Sequence, residues 1–383
     1  MNERIFMQYD YIVIGAGLAG ATAARLLADK GNKVLVAEKL SHVGGSVYDC
    51  YDESGILIHK YGPHIFHTND KEVYDFLCRF ADFNGYEHRV AAKLDSCMVP
   101  VPFNCESLRR VYGEKKAQAL RDALKKAYGT DTVSIMALME SDDDALKELG
   151  EFVYKNIFLY YTMKQWEKAP SEIDPRTTAR VPVRLSEDDR YFTDKYQGLP
   201  IGGYTEMIKK MLSSEYITVK TDYTPSIELK DGRVFIDGTE TNSKVVYTGE
   251  LDRLFSYRHG HLPYRTLDFV FETHNIDSYQ SHATVNYTVS EKFTRISEFK
   301  KMTLQNKEGV TTVLKEFSRK YEGGEADIPY YPVSGSDSEA LYETYKNEVQ
   351  RYPQIILLGR LAEYKYYNMD AVVRHVIDVL ADK

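Results

Sequence analysis

The stretch Tyr9–Gly20, YDYIVIGAGLAG, narrows the fold more than any other part of the chain. A short apolar run breaks at Gly15, Gly17 and Gly20, then opens into ATAARLLADKG with helical spacing. Strand, glycine-rich turn and helix in that order are the context in which G-x-G-x-x-G signals dinucleotide binding. Gly15 permits a tight turn, Gly17 lets the backbone approach a pyrophosphate, and Gly20 lets the helix lie close to the strand; Ala19 sits in the same turn. The amides at the helix start then hold negative charge. A second apolar run, Lys33–Ala37, ends in Glu38, about twenty residues on, where a carboxylate accepts hydrogen bonds from a ribose. Incidental glycines in an ordinary β-turn-α unit would not also bring the acid to that place.

At 383 residues the chain exceeds one typical core, so two or three domains are expected. A net charge of −8 argues against general nucleic-acid affinity, so positive charge must be concentrated wherever an anion is held. The four cysteines show no C-x-x-C pairing, which suggests neither a metal site nor a disulfide framework. The start, MNERIFMQ, lacks the apolar core of a signal peptide, and no run reaches membrane-spanning length. A cytoplasmic protein without membrane insertion is expected. Among the 31 tyrosines most should pack, while a few with hydroxyls in a cleft would suit a polar ligand such as a sugar.

After Glu38 comes Lys39-Leu-Ser-His-Val-Gly44-Gly45-Ser46, a second close approach of backbone to the dinucleotide. A paired glycine just beyond the acid-tipped strand is common in two-dinucleotide flavoproteins and moves the cofactor expectation from NAD to FAD. Asn104 to about Gln165 is helical and amphipathic, and Pro170–Pro182 reads as a loop carrying Arg176 and Arg180. The runs DDRYFTDKYQ, YRTLDFVFETH, HATVNYTV, FTRISEFKKM and TTVLKEFS alternate as strands of an antiparallel sheet. Gly202–Thr224, KVVYTG and the final Ile355–Leu358, Gly359-Arg360 and helix from Met369 return to the nucleotide fold.

The expected fold is therefore α/β: a discontinuous Rossmann-like FAD-binding domain (1–85, 200–256 and 340–383) with two inserts. One is a helical bundle (104–168). The other is an antiparallel β-sheet substrate domain (86–103, 169–199 and 257–339).

YGPHIFHT, YTMKQW, ARVPVR followed by DDRYF, then PYRTLDF, FTRISE, IPYYP and GRLAEYKYYNMD together resemble the UDP-galactopyranose mutase family, colinearly over essentially the whole chain. The resemblance implies a redox-neutral isomerisation of UDP-galactopyranose and UDP-galactofuranose, working only with reduced FAD through a sugar adduct on the flavin N5, in a homodimer. It implies diphosphate binding by Arg180, in a mobile loop, and Arg295, on a strand. Tyr161, Thr162 and Trp166 fall where the family binds uridine, with Asn286 near that end. Tyr191, Tyr331 and Tyr366 match phosphate-binding tyrosines, and Tyr330 and Tyr367 should point the other way if these are strands. His67 matches a histidine by the flavin ring, His64 and Ile65 a cofactor contact through backbone, and Arg360 a contact near the ribityl or phosphates.

Five positions depart from the family pattern. Tyr160 and Ala362 replace glycines, Ile157 an aromatic of the uracil pocket, His88 an asparagine near the sugar, and Asn368 an aspartate. Since these cluster around the substrate, the sugar stays open between UDP-galactose, its N-acetyl form or another UDP-hexopyranose. An amine-oxidase-like FAD oxidoreductase and a non-catalytic UDP-sugar binder are the competing readings.

Overall fold

Strand Tyr11–Ile14 is the centre of a five-stranded parallel sheet. In the computed structural model, which describes residues 9–167, 181–324, 327–333 and 335–381, its neighbours are Val34–Ala37 and Lys244–Tyr247. Ile217–Lys220 and Ile355–Leu357 lie at the edges, so one sheet draws strands from three separated stretches of chain. Near-continuous apolar runs suit a sheet covered on both faces. Tyr11 and Val13 point into a core with helices Leu18–Asp29, Tyr204–Leu212 and Met369–Leu380, while Ile12 and Leu35 meet Leu251, Phe255 and Tyr345 on the other side.

A seven-stranded, mostly antiparallel sheet forms the second layer, in the order 331–332, 264–274, 311–320, 295–298, 284–287, 90–93, 98–101. Its backbone is the long pair Tyr264–His274 and Thr311–Lys320. Only 284–287 against 90–93 is parallel. A cluster of helices packs on the far end: Cys105–Tyr128, Ile135–Met139, Asp144–Val153 and, after a wide π turn, Tyr160–Trp166. Asn104 caps the first of these in a reciprocal capping box with Ser107, and Asp143 caps the third. Lys164 ties the last helix to the sheet by donating to the carbonyls of Tyr287, Glu291 and Phe293.

Two strand expectations shift. In DDRYFTDKYQ only the last two residues, Tyr196 and Gln197, join a strand (Tyr196–Gly198), because the Asp188 carboxylate accepts the amide and guanidinium of Arg190 and bends the chain before it. FTRISEFKKM is a strand over Arg295–Glu298 that turns into a short helix, Phe299–Thr303. A small antiparallel sheet at 227–240, which the sequence did not announce, covers one face of the nucleotide fold.

Candidate active site

A cavity of about 1660 Å³ runs between the two sheets. It exceeds the roughly 300–1,000 Å³ of a single small-molecule pocket, leaving room for two ligands. One end is built by the glycine turn. Ile14, Ala37 and Tyr247, the last residues of three parallel strands, line it, as ligand sites in open α/β sheets do. Gly15 has φ +102°, and its amide donates to Ala37 O at 2.8 Å. A Cβ on Gly20 would lie 1.9 Å from Gly15 O, so only glycine lets the helix start against the turn. Gly17, Leu18, Ala19 and Gly20 line the cavity with the helix N-terminus, and no side chain caps it.

The Glu38 carboxylate accepts from Ala16 N (2.7 Å) and Leu40 N (2.9 Å), bracing the turn while still lining the cavity with Lys39. A carboxylate has about four lone-pair sites, so acceptor capacity remains for a ribose. Gly45 and Ser46 also line it, whereas Gly44 does not. Gly44 pairs with Gly17 and donates to Ala16 O at 2.9 Å, so it braces the turn. Opposite, Gly359, Arg360 and Met369 bring a second helix start to the same space, and Arg360 donates to Ser46 Oγ at 3.4 Å. This cradle, a glycine-bared helix start at Leu18, a second helix start at Met369 and an acid at a strand end, fits a dinucleotide.

The same cavity is lined by His64, Ile65, His67, His88, Ile157, Tyr161, Thr162, Trp166, Tyr191, Asn286, Arg295, Tyr331, Tyr366 and Asn368. Residues 157, 158, 161, 162, 165 and 166 all line it, which is one stripe of a helix. Asn286 is directly opposite Arg295 in the sheet, and Arg295 opposite Glu316. Arg295 Nε donates to the buried Glu316 carboxylate at 2.7 Å; among the described residues its terminal nitrogens make no hydrogen bond. Burial alone would lower the Arg295 pKa, but Glu316 and the neighbouring phenols keep it charged, well above the ordinary range. Burial pushes the phenols of Tyr161 and Tyr331 up, so both remain protonated donors beside it. A fixed cation ringed by hydroxyls is an anion site.

Three of the remaining placements need comment. Arg180 lies outside the described residues, although Val181 next to it lines the cavity. Tyr330 is buried against Phe269 while Tyr331 faces the cavity, as strand alternation requires. Tyr367, expected to point away, lines the cavity with Tyr366 because 359–367 is a turn, with Tyr364 at φ +47°, and not a strand.

His88 is buried, its Nδ1 3.1 Å from Tyr86 Oη. Burial, with Arg295 and His67 nearby, holds its pKa down to about 3. His64 is likewise held at about 3 by burial and by Arg360, and burial holds His59 at about 4. All three are neutral when folded. Unfolded they titrate near the ordinary 6.5, so over about pH 4 to 6.5 the unfolded chain binds more protons and stability is lost as pH falls. Each fully shifted histidine contributes about 1.4 kcal/mol per pH unit in that window. The expected result is a urea midpoint that drops steeply between about pH 7 and pH 5; a flat profile would contradict it.

Sequence reasoning missed the partners. Glu316 holds Arg295, and its signal was a charge at an inward position of the apolar strand Thr311–Lys320. Asp194 and Phe192 hold His67 from a loop that carries no periodic signal.

Fold and site together define an α/β protein of Rossmann-like nucleotide-binding type, in which the glycine turn and a charged arginine line one cavity. A sequence model of UDP-galactopyranose mutase matches residues 156–366, and one of the NAD(P)-binding Rossmann-like domain matches 13–80. UDP-galactopyranose mutase of Mycoplasma pneumoniae is 33% identical over 374 residues, covering 96% of this chain and 94% of its own. dTDP-fucopyranose mutase of Escherichia coli is 34% identical over 376 residues, covering 96% of each. A crystal structure of reduced UDP-galactopyranose mutase superposes with TM-score 0.70 at 16% identity, over 97% of this chain and 96% of that one; this speaks to fold alone. The chain belongs to the UDP-galactopyranose mutase family, a family of sugar-nucleotide isomerases.

Proposed function

We propose that the protein interconverts UDP-galactopyranose and UDP-galactofuranose, using two-electron-reduced FAD held in the glycine cradle. The observation that carries this reading is Arg295: a charged, Glu316-braced guanidinium in the same cavity as the dinucleotide cradle. Bound there, a reduced flavin would supply a nucleophilic nitrogen that takes the place of the departing nucleotide. The chain's own residues do the rest. Helix starts at Leu18 and Met369 with Arg360 hold the cofactor's pyrophosphate side; Arg295, Tyr161, Tyr191 and Tyr331 take the substrate diphosphate as it gains charge, joined by Arg180 on the family pattern. Ile157, Thr162 and Trp166 receive the pyrimidine, with Asn286 near that end, while Tyr366 and Asn368 stand at the phosphate side. His88, held neutral, offers the sugar a polar edge without adding charge next to Arg295.

The same reading groups 1–85, 200–256 and 340–383 as the cofactor domain, a division supported by the strands they contribute to one sheet. It includes a cytoplasmic homodimer, supported by the family resemblance; sedimentation measures the assembly. Among the described residues no helix is long and apolar enough to cross a membrane.

The test is incubation of dithionite-reduced and oxidised protein with UDP-galactose, UDP-N-acetylgalactosamine and dTDP-fucose, followed by chromatography. A furanose product from UDP-galactose, formed only by reduced protein and without net consumption of reductant, is expected. The thymidine arm is included because the E. coli relative is a dTDP-fucopyranose mutase. Turnover of oxidised protein with peroxide release would favour the oxidase reading, and tight UDP binding without conversion a non-catalytic binder.

A further inference from the structure

Strand Phe66–Thr68 pairs antiparallel with Tyr196–Gly198, with His67 opposite Gln197. That register carries the preceding loop over the His67 ring. Phe192 stacks on it at 3.6 Å between centroids and 13° between planes, and Asp194 Oδ2 lies 3.0 Å from Nδ1. The orientation of the Asp194 carboxylate is fixed from a backbone amide through Asn69. Lys195 N–H, which can only donate, points at Asn69 Oδ1 at 2.9 Å. The other end of the Asn69 amide is therefore nitrogen, and it donates to Asp194 Oδ1 at 2.8 Å. A carboxylate has only acceptor oxygens, so Asp194 Oδ2 accepts Nδ1–H from His67, and Asn69 holds the carboxylate in that orientation. Nε2, among the described residues, makes no hydrogen bond, and the residue lines the cavity.

We propose that Asp194 is a positioning residue that locks His67 with its proton on Nδ1, leaving Nε2 open as the proton carrier for opening and closing the sugar ring. This rests on the mutase reading. Opening breaks C1–O5, the electron pair stays on O5, and O5 gains a proton. Closing forms C1–O4 from the O4 electron pair, and O4 loses a proton. Nε2, bare in the resting state, first takes up the proton that the nucleophilic nitrogen loses on bonding to C1 and gives it to O5. It then accepts the O4 proton and returns it as that nitrogen is released, so protons balance over the cycle without any oxidant or further reactant. Asp194 offsets the charge of the imidazolium that gives the first proton, while Phe192 keeps the ring plane fixed.

Two measurements test this. In the wild-type flavoprotein labelled with ¹⁵N-histidine, the shifts of His67 should report Nδ1–H; Nε2–H would overturn the proposal. Asp194→Asn should reverse the tautomer, because an amide can donate to Nδ1, and lower kcat about 10- to 100-fold with KM changed less than about threefold. In a His67→Gln background the same substitution should cost nothing further, and Asp194→Glu should recover part of the loss. Unchanged kcat in Asp194→Asn, or a full additional loss without His67, would show a merely structural loop contact. Should reduced wild type convert no sugar nucleotide, the mutase reading falls, and the nitrogen shifts alone then decide the His67–Asp194 arrangement.

Discussion

Arg295→Lys is expected to keep the flavin and the fold while kcat/KM falls roughly ten- to two-hundred-fold. Lysine retains the positive charge that Glu316 requires, but it lacks the planar fork that grips a diphosphate while its Nε stays on a carboxylate. The loss corresponds to one charge-assisted hydrogen bond, about 1.5–3 kcal/mol. Arg295→Ala should be worse in a second, separable way. Glu316 is 2% exposed, and without its partner the carboxylate is left buried and uncompensated. Breaking such a pair costs about 3 kcal/mol of stability, so a lower melting temperature should accompany the lost turnover. Adding Glu316→Gln removes the orphan charge, and stability should return while turnover does not. Wild-type kcat/KM in Arg295→Lys would remove Arg295 from the diphosphate site.

Gly20→Ala is expected to yield protein purified without colour. The new Cβ would fall 1.9 Å from the Gly15 carbonyl oxygen and 3.2 Å from Val13 Cγ1, against backbone that cannot swing aside. Helix and turn must separate, at an overpacking cost of about 1–3 kcal/mol. The same displacement moves the amides that face the pyrophosphate, so dinucleotide affinity should collapse beyond what the stability change explains. Gly31→Ala is the control. It lies at φ +84° with nothing within 4 Å of its would-be Cβ, so it should lose about 1 kcal/mol to backbone strain and stay yellow. A fully flavin-loaded Gly20→Ala protein would argue that the cradle does not hold the cofactor.

Much of the site was legible because its signals are local. Gly15, Gly17, Gly20 and Glu38 stand in a spacing that backbone geometry alone demands, and the cavity lies where they point. Family motifs placed Tyr161, Trp166, Arg295 and Tyr331 in the chain, and all four line one space although they come from a helix and two strands far apart in sequence. The surroundings of Gly44 and Tyr367 were not legible in the sequence, for one shared reason. Whether a residue faces a ligand or the backbone behind it depends on turn conformation, and composition says little about that.

By itself the sequence determined the parallel nucleotide fold, the amphipathic helices and the chemistry of the glycine cradle, because these follow from periodicity and from what a missing Cβ allows within a few residues. Only the tertiary structure decided that Glu316 charges Arg295, that Asp194 and Phe192 orient His67, and that burial neutralises His59, His64 and His88. Each of those depends on strand register and on exclusion of water by distant segments, and electrostatics in such places is set by neighbours that no sequence window contains.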